Sequence, residues 1–467
     1  MTGFPSHTDT TLSDVPSNNT VESSAYERAL AFVFGRLNYE RHPGQARSLR
    51  AFNLQRMVQL LDKLGNPQNQ VPTVHIAGSK GKGSTASMVA SIAEAAGYRT
   101  GLFTSPHLAE YEERFTIGGR KPTREQIISY VQQIRPVVEE MDCDGVHGHV
   151  TFFEISTAIG WLHFLAEKVD LAAIEVGLGG RLDSTNVCQP LVTIITSISR
   201  DHTRLLGETL AEIAREKAGI IKPGVPIISG VAVPEAQNEI KQLAISQNAP
   251  LFQFGTDFHM QGQAVDGPLV HYDVDVEFQG QTLSSLRLGL PGQHQTTNAA
   301  CAVVASCLLN QRGYQITDQH IRTGLAETRC PLRIEIVHRN PMVILDVAHN
   351  IASMQALSDV ITHIPDVPKV CVVSISQEKD AAEMLRILGA VFDHMVLTAF
   401  QSNPRAISLA ELEQLAIDID CDVLTSSEPR GAIEVARKIA GSSGMICATG
   451  SFFLVAEVQE IIPDVFA

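Results

Sequence analysis

Apolar positions along the chain switch between two spacings, and this switching predicts an α/β protein. Short apolar runs rich in β-branched residues, such as 191–196, predict buried strands, whereas apolar residues three or four positions apart, as in 151–168, predict helices. Because strand and helix patterns follow one another, we expect mostly parallel sheets covered by helices. Further helices are expected from residue 26, at about 54–64, 123–140, 209–218 and 234–247, and from the stretch 290–300 to about 310. Further strands are expected at about 100–104, 170–175 and 225–229.

The same pattern divides the chain into parts. Residues 1–24 are rich in Ser, Thr, Asn and Asp and predict a disordered segment. A boundary near 326–331 separates a first domain, expected at 25–328, from a second at 329–467. Period-two alternation at 251–290 predicts a short antiparallel section appended to the first sheet.

The second domain shows a regular alternation of strand and helix patterns, which indicates a doubly wound sheet. Its strands are expected at about 334–338, 342–346, 369–374, 393–397, 421–424 and 444–448, and its helices at about 351–363, 380–390, 408–416, 429–440 and 451–461.

The most informative stretch is 74–85, where a strand pattern runs into a glycine-rich loop and then into a helix pattern. Glycines let backbone N–H groups turn inward around an anion, and the start of a helix adds its positive dipole end. Lys82 supplies a point charge for terminal phosphates, and a hydroxyl can approach Mg²⁺. The residues expected to contact phosphate are Gly78, Gly81, Lys82, Gly83 and Ser84.

The spacing of this loop departs from the standard Walker A motif. Only Ser79 and Lys80 lie between the first glycine and Gly81-Lys82, whereas the standard motif has four intervening residues. A glycine-rich hairpin or helix cap is therefore the alternative. The flanking strand and helix favour the phosphate loop.

Polar side chains follow the ends of several predicted strands, where open α/β sheets bind ligands. Ser105 follows one strand and His202 another, and Glu175 ends a third. A carboxylate at the end of a buried strand beside a phosphate loop is suited to hold Mg²⁺ or its water. On its own, His202 would more often be a structural hydrogen-bonding residue than a metal ligand.

Other candidates have simpler explanations. Glu154 lies in the first turn of a helix and Lys217 in the last turn of another, where each complements the helix dipole. His147 and His149 are of a residue type that binds metals. Because they are alternate residues in a predicted loop, we interpret them as polar surface residues. The glycines of 177–183 resemble half of a dinucleotide fingerprint, yet no apolar helix follows, so we interpret them as a loop beside the site.

Composition narrows the class of protein. The 467-residue chain has a formal net charge of −15, which argues against a nucleic-acid partner. Its eight cysteines form no Cys-x-x-Cys pair, which favours a reducing compartment without a zinc site or disulfide framework. No apolar run is long enough to span a membrane, and no secretory signal is recognisable, so we expect a cytoplasmic protein without a membrane partner.

The motifs taken together, in order, resemble the folylpolyglutamate synthase family, including its bifunctional dihydrofolate synthase form, in the Mur ligase superfamily. The matching segments are Gly78 to Ser84, 104–108, 113–114, 152–154, 175–186, 201–203, 216–224, 294–300, Arg333, 346–350 and 449–451. This resemblance implies a P-loop-type Mur ligase central domain, followed by a C-terminal Rossmann-like glutamate ligase domain.

The resemblance also implies the ligands. ATP binds at the phosphate loop, with further contacts from Asn298, Arg333 and Asp346. Two Mg²⁺ ions are implied, one held by Ser105, Glu175 and His202 and a second supported by a carbamylated Lys217. The implied catalytic residues are Lys82, Lys217, Arg333 and His349, and the implied substrate residues are Phe153 and Glu154.

The implied reaction is ATP-dependent ligation in a monomeric enzyme. The carboxylate of a reduced folate or of dihydropteroate attacks the γ-phosphate, and the amine of L-glutamate then displaces phosphate from the acyl phosphate. Alternatives are a Mur-type ligase with another carboxylate acceptor, a P-loop small-molecule kinase, or a non-catalytic nucleotide-binding relative. The family pattern usually has Thr-Asn where this chain has Ser79-Lys80, and glycine at the positions of Leu332 and Val347, while Arg200 is an unusual neighbour of Asp201-His202.

Overall fold

A computed structural model describes residues 18–40, 52–146, 148–265, 267, 269–364, 366–377 and 379–466. Most of the predicted disordered segment, residues 1–17, and also His147, therefore lie outside the described residues. The prediction of disorder is wrong for 18–24, because α1 spans Asn18–Phe34. Once the apolar turns of a helix are packed, each further residue adds a hydrogen bond at little entropic cost.

The N-terminal unit is built on a seven-stranded sheet of order β3-β2-β4-β1-β5-β6-β7, as far as the structure describes the chain. All neighbours are parallel except β2 and β3. The strands are β1 (Thr73–Ala77), β2 (Thr100–Phe103), β3 (Phe115–Ile117), β4 (Leu171–Glu175), β5 (Val192–Ile195), β6 (Ile227–Ser229) and β7 (Leu251–Gln253). Ile76 pairs with Glu175, so the loops after β1 and β4 leave the sheet side by side.

Helices cover both faces of this sheet. The helices are α1, α2 (Leu54–Lys63), α3 (Lys82–Ala95), α4 (Arg124–Asp144), α5 (Phe152–Ala166), α6 (Thr203–Leu206), α7 (Leu210–Ala218), α8 (Pro234–Ser246), α9 (His294–Asn310) and α10 (Asp318–Glu327). Leu171 and Ala173 pack into the core of α3, α9 and α10, whereas Ala172 and Ile174 pack against α1, α2, α4 and α5. This period-two burial on two faces explains why the strands read as continuous apolar runs.

Helix α10 is not among the predicted elements. Gly324 in its interior weakens the helix pattern, but α10 needs glycine there. A Cβ at Gly324 would lie 2.4 Å from the Cα of Ile92 in α3. The Ser91 hydroxyl also donates to the Gly324 carbonyl at 2.7 Å, so tertiary packing stabilises this helix.

The antiparallel section was placed wrongly by the sequence pattern. Strands β8 (Phe258–Val265), β9 (His271–Phe278) and β10 (Gln281–Arg287) form a separate three-stranded sheet, while β7 joins the main sheet in parallel. The buried face of the small sheet, including Val274, Val276 and Leu286, packs into the core that contains α9. Alternation reveals such a face but not the element that covers it.

The C-terminal unit is a doubly wound sheet, as predicted. Its order is β11-β12-β16-β13-β14-β15, with β11 antiparallel. The strands are β11 (Glu335–Arg339), β12 (Met342–Leu345), β13 (Lys369–Val373), β14 (His394–Leu397), β15 (Asp422–Thr425) and β16 (Met445–Thr449). Helices α11 (Ile351–Thr362), α12 (Ala381–Gly389) and α13 (Leu409–Leu415) pack on one face, and α14 (Pro429–Ala440) and α15 (Phe452–Val465) on the other.

This arrangement places a topological switch point beside β16. The helix that follows β16 packs on one face of the sheet, whereas the helices that follow its neighbours β12 and β13 pack on the other face. Ligands of open α/β sheets bind at the carboxyl ends of strands at such a point.

Among the described helices, none is both long and apolar enough to cross a membrane.

Candidate active site

The loop between β1 and α3 has the backbone conformation of an anion cradle. Gly78 and Gly81 have φ of +155° and +81°, which favour glycine, and α3 begins at Lys82 directly after Gly81. A Cβ at Gly78 would lie 1.9 Å from Thr196 Oγ1, and one at Gly81 would lie 2.3 Å from Asn298 Oδ1. The loop is therefore pressed between β5 and α9, and the start of α3 offers free N–H groups.

Two lysines converge on this loop. Lys82 Nζ donates to the Gly78 carbonyl at 3.2 Å, and Lys217 Nζ donates to the same oxygen at 2.9 Å. Lys217 is only 4% exposed. Burial, together with the charge of Lys82, lowers the pKa of Lys217 to about 7. A substantial fraction of Lys217 is therefore neutral at physiological pH. Compensation of the helix dipole, the simpler explanation for this lysine, does not require a neutral amine.

Glu175 ends β4 on the side of the phosphate loop. Its Oε2 accepts a hydrogen bond from the Ser105 backbone N–H at 3.2 Å and would lie 3.3 Å from a Cβ at Gly83. Burial raises the pKa of Glu175, and the charge of Lys82 opposes that shift. The carboxylate is thus short of compensating positive charge, which suits a site for a divalent cation.

His202 lies in a different set of contacts. It follows Asp201, whose Oδ2 is 2.7 Å from Lys80 Nζ and whose Oδ1 is 3.9 Å from Lys379 Nζ. Burial lowers the pKa of His202 to about 4, so the ring is neutral and able to bind a metal. Within the described residues, no group of three or more His, Cys, Asp and Glu side chains is gathered for a metal ion. The structure shows contact between Glu175 and the Ser105 backbone, and it places the His202 ring 3.8 Å from Asp201 Oδ1.

Arg333 is presented from the start of the C-terminal unit. The residues on either side of it, Leu332 and Ile334, have φ of +54° and +52°. Asp346, at the end of β12, holds this turn, because its Oδ2 accepts from Ile334 N at 3.0 Å and its Oδ1 from Ala348 N at 2.8 Å. Burial raises the pKa of Asp346 to about 6, and Arg333 opposes the rise.

The positive φ of Leu332 explains why glycine is usual at this position in the family pattern. A left-handed conformation costs a non-glycine residue about 1–2 kcal/mol. The Leu332 side chain is fully buried, and this burial contributes about 1.5–3 kcal/mol, which offsets the conformational cost. Val347 N donates to the Leu332 carbonyl at 3.1 Å, so both unusual residues belong to one intact turn.

His349 is held as a neutral imidazole. Its Nδ1 donates to the Val347 carbonyl at 2.8 Å, which leaves Nε2 as an acceptor. Burial lowers the pKa of His349 to about 3, and the charges of Lys80 and Lys379 lower it further. The charges of Lys80 and Asp201 in the N-terminal unit therefore act on His349 of the C-terminal unit.

The two predicted substrate residues occupy different surroundings. Arg56 Nε lies 2.8 Å from both carboxylate oxygens of Glu154, and Thr151 N donates to Oε2 at 2.8 Å. Glu154 is thus a helix cap within a buried ion pair. Phe153 packs over the loop after β4, where a Cβ at Gly177 would lie 2.4 Å from its Cζ.

Polar groups also lie at the switch point of the C-terminal sheet. Asn350 and Thr449 belong to the motifs that carry the family resemblance, whereas sequence reasoning missed Thr398. Within the described part of the chain, Asn350 Nδ2, Thr398 Oγ1 and Thr449 Oγ1 are buried without a hydrogen-bond partner. Asn350 follows β12, Thr398 directly follows β14 and Thr449 ends β16, on the edge that also carries His349. Buried polar atoms of this kind are rare and indicate a place for a ligand or water. The only available signal for Thr398 was its position directly after a predicted strand.

Comparison with known proteins supports the family resemblance that the sequence motifs indicate. Residues 76–306 match the Mur ligase middle domain, and residues 332–452 match the Mur ligase glutamate ligase domain. The dihydrofolate synthase/folylpolyglutamate synthase of Bacillus subtilis is 34% identical over 449 residues, covering 94% of this chain and 99% of the relative.

Solved structures extend the likeness to the fold. Mycobacterium tuberculosis folylpolyglutamate synthase complexed with ADP has a TM-score of 0.83 at 31% identity, covering 94% of this chain and 98% of that one. Escherichia coli FolC in complex with DHPP and ADP has a TM-score of 0.78 at 30% identity, covering 89% of this chain and 94% of that one. The chain therefore belongs to the dihydrofolate synthase/folylpolyglutamate synthase family of the Mur ligase superfamily.

Proposed function

We propose that the protein adds L-glutamate to reduced folate, and also to dihydropteroate, through an acyl phosphate formed with ATP. The observation that carries this proposal is the convergence of Lys82 and Lys217 on the phosphate loop beside Glu175. The names of the relatives and the ADP and DHPP in the neighbouring structures support it. We take 25–328 and 329–467 as the two domains that share the site.

ATP fits with its phosphates at the start of α3. The backbone N–H groups of the loop and the Lys82 ammonium would face the terminal phosphates, as in other phosphate loops. Asn298, which lies against Gly81, would contact the nucleotide from the N-terminal domain, and Arg333 and Asp346 from the C-terminal domain. Both domains would then contribute to one nucleotide site.

Phosphoryl transfer requires the free carboxylate of the folate or of dihydropteroate in line with the γ-phosphate. The enzyme contributes mainly position and charge, and Lys82 and Arg333 would neutralise the charge that spreads over the transferring phosphoryl group. The loop carrying Gly177, under the Phe153 ring, would border the pteroate moiety. Closure of the two domains would keep water from the acyl phosphate.

The oxygen and nitrogen atoms of the side chains beside the phosphate loop are suitable ligands for Mg²⁺. Ser105 and Glu175 would hold one ion, with His202 as a third ligand, and a carbamate on Lys217 would support a second. When bound, these ions would neutralise phosphate charge. The raised pKa of Glu175 and the lowered pKa of Lys217 support this assignment.

L-Glutamate fits the switch point of the C-terminal sheet. The unpaired groups of Asn350, Thr398 and Thr449 offer donors and acceptors to an amino acid, and Lys379 supplies a cation whose charge acts on His349. The free Nε2 of neutral His349 would accept a hydrogen bond from the attacking amine. The amine would then displace phosphate from the acyl carbon, giving an amide and inorganic phosphate.

The phosphate loop allows a direct test of nucleotide binding. Gly81→Ala places a methyl group 2.3 Å from Asn298 Oδ1 at a φ of +81°, so either the loop or α9 must shift. We expect ATP affinity to fall by at least about 10²-fold, the scale expected when a loop is displaced by an ångström. Calorimetric titration with ATP measures this, and Gly97→Ala, a positive-φ glycine in open space after α3, is the matched control.

The proposed activity is tested by glutamate-dependent phosphate release from ATP, with dihydropteroate and with a reduced folate in parallel. Release with both acceptors is the expected result, and release with folate alone would restrict the protein to polyglutamylation. Phosphate release that ignores glutamate would indicate a kinase or another ligase. ATP binding without turnover would indicate a non-catalytic relative.

A further inference from the structure

The unusual Ser79-Lys80 pair joins the phosphate loop to the segment after β5. Ser79 N donates to the Ser197 carbonyl at 2.8 Å, and the Ser79 hydroxyl both donates to the Ser199 carbonyl and accepts from Ser199 N, each at 3.0 Å. Lys80 N donates to Ser197 Oγ at 3.0 Å. The backbone of Lys80 is therefore held in place, and its side chain emerges in a defined direction.

That side chain pairs with Asp201 instead of reaching for the phosphate cradle. Lys80 Nζ lies 2.7 Å from Asp201 Oδ2, and the Asp201 side chain is only 10% exposed. The other oxygen, Oδ1, accepts from His202 N at 3.1 Å. The Lys80–Asp201 pair thus joins the phosphate loop to the segment after β5, as the contacts of Ser79 also do. Asp201 directly precedes His202, a candidate metal ligand.

Asp201 also faces the C-terminal domain. Lys379 Nζ, between β13 and α12, lies 3.9 Å from Asp201 Oδ1, and its side chain is 20% exposed. One carboxylate therefore stands between two ammonium groups, one from each domain.

A charged carboxylate close to the phosphates of ATP opposes their binding unless it is neutralised. We propose that Lys80 is a positioning residue that neutralises Asp201 on the phosphate-loop side and directs its second oxygen to Lys379, so that one carboxylate links the closing domains without repelling ATP. A neutral residue at position 80, as in the usual family pattern, cannot do this. The proposal requires only that the protein binds ATP, so it is tested apart from the identity of the acceptor.

The experiment is a double-mutant cycle read by ATP affinity and by kinetics. Lys80→Met is expected to raise the Kd and the KM for ATP by about tenfold, the scale of one partly buried charge interaction, with kcat changing much less. Lys80→Arg should restore most of the affinity. In Lys80→Met/Asp201→Asn the opposing charge is gone, so the double variant should bind ATP within about threefold of Asp201→Asn alone.

The controls separate charge from folding. Lys121→Met removes an exposed lysine paired with Glu110 at the surface and should leave ATP binding unchanged. The defect of Lys80→Met should shrink at high ionic strength, because salt screens charge. The proposal is overturned if Lys80→Met binds ATP within about twofold of the parent protein, or if its defect is salt-independent and undiminished in the Asp201→Asn background.

Discussion

Replacement of Lys82 by alanine is expected to reduce kcat by about 10²-fold or more, the cost of losing one preorganised donor to a transition state. Lys82 is the first residue of α3, and its ammonium group lies 3.2 Å from the Gly78 carbonyl, within the cradle. The side chain stabilises negative charge that grows during phosphoryl transfer, so kcat should fall more than ATP affinity. Single-turnover phosphate release with saturating ATP measures the chemical step.

Two variants make the Lys82 result specific. Lys82→Arg keeps the charge but spreads it over a planar group, and it should recover only part of the rate. Lys121→Ala, at an exposed lysine, should leave the rate unchanged. A Lys82→Ala protein with unaltered single-turnover kinetics and an unaltered melting temperature would remove this lysine from the mechanism.

Replacement of Lys217 by alanine is expected to cause a loss of similar size. Lys217 is buried at the Gly78 carbonyl, and its pKa of about 7 provides the neutral amine that a carbamate requires. If the carbamate carries the function, a small carboxylic acid such as acetate should partly restore the alanine variant. Removal of bicarbonate should lower the rate of the parent protein. A rate that is indifferent to both treatments would contradict the carbamate while leaving a role for the amine.

The same lysine predicts a pH dependence of stability in bicarbonate-free buffer. Its pKa is 10.5 in the unfolded chain and about 7 when folded, so the unfolded state binds more protons between these values. The contribution of Lys217 to the free energy of unfolding should therefore rise as the pH increases from about 7 towards 10.5, and stay level below 7. Denaturant titrations should show this as a difference in pH slope, with the free energy of unfolding of the parent protein rising more, or falling less, than that of Lys217→Met. Equal slopes would contradict the lowered pKa.

Local patterns were sufficient to place several candidate residues on their elements. Gly78, Gly81 and Lys82 were predicted to lie at the junction between a strand and a helix, and the structure has them there, because the backbone requirements of such a loop are visible in consecutive residues. Glu175 was recognised because a carboxylate that ends an apolar strand is conspicuous. The doubly wound C-terminal sheet was predicted because each strand and helix has its own period, and the short connections restrict the topology.

Contacts between distant residues were not predictable in this way. Glu154 has the sequence context of a helix cap, and only the fold brings Arg56 to both of its oxygens. The small antiparallel sheet was recognised by alternation, but its position was not, because alternation does not identify the partner of a buried face.

By itself, therefore, the sequence determined the alternating elements, the phosphate loop and the chemical groups at the strand ends, since these depend on neighbours within a few residues. The tertiary structure alone decided which groups meet. It brought Lys217 to the carbonyl that Lys82 also contacts, and it placed Asp201 between Lys80 and Lys379. The pKa shifts of these groups follow from burial and from charges on remote segments, and neither exists until the chain has folded.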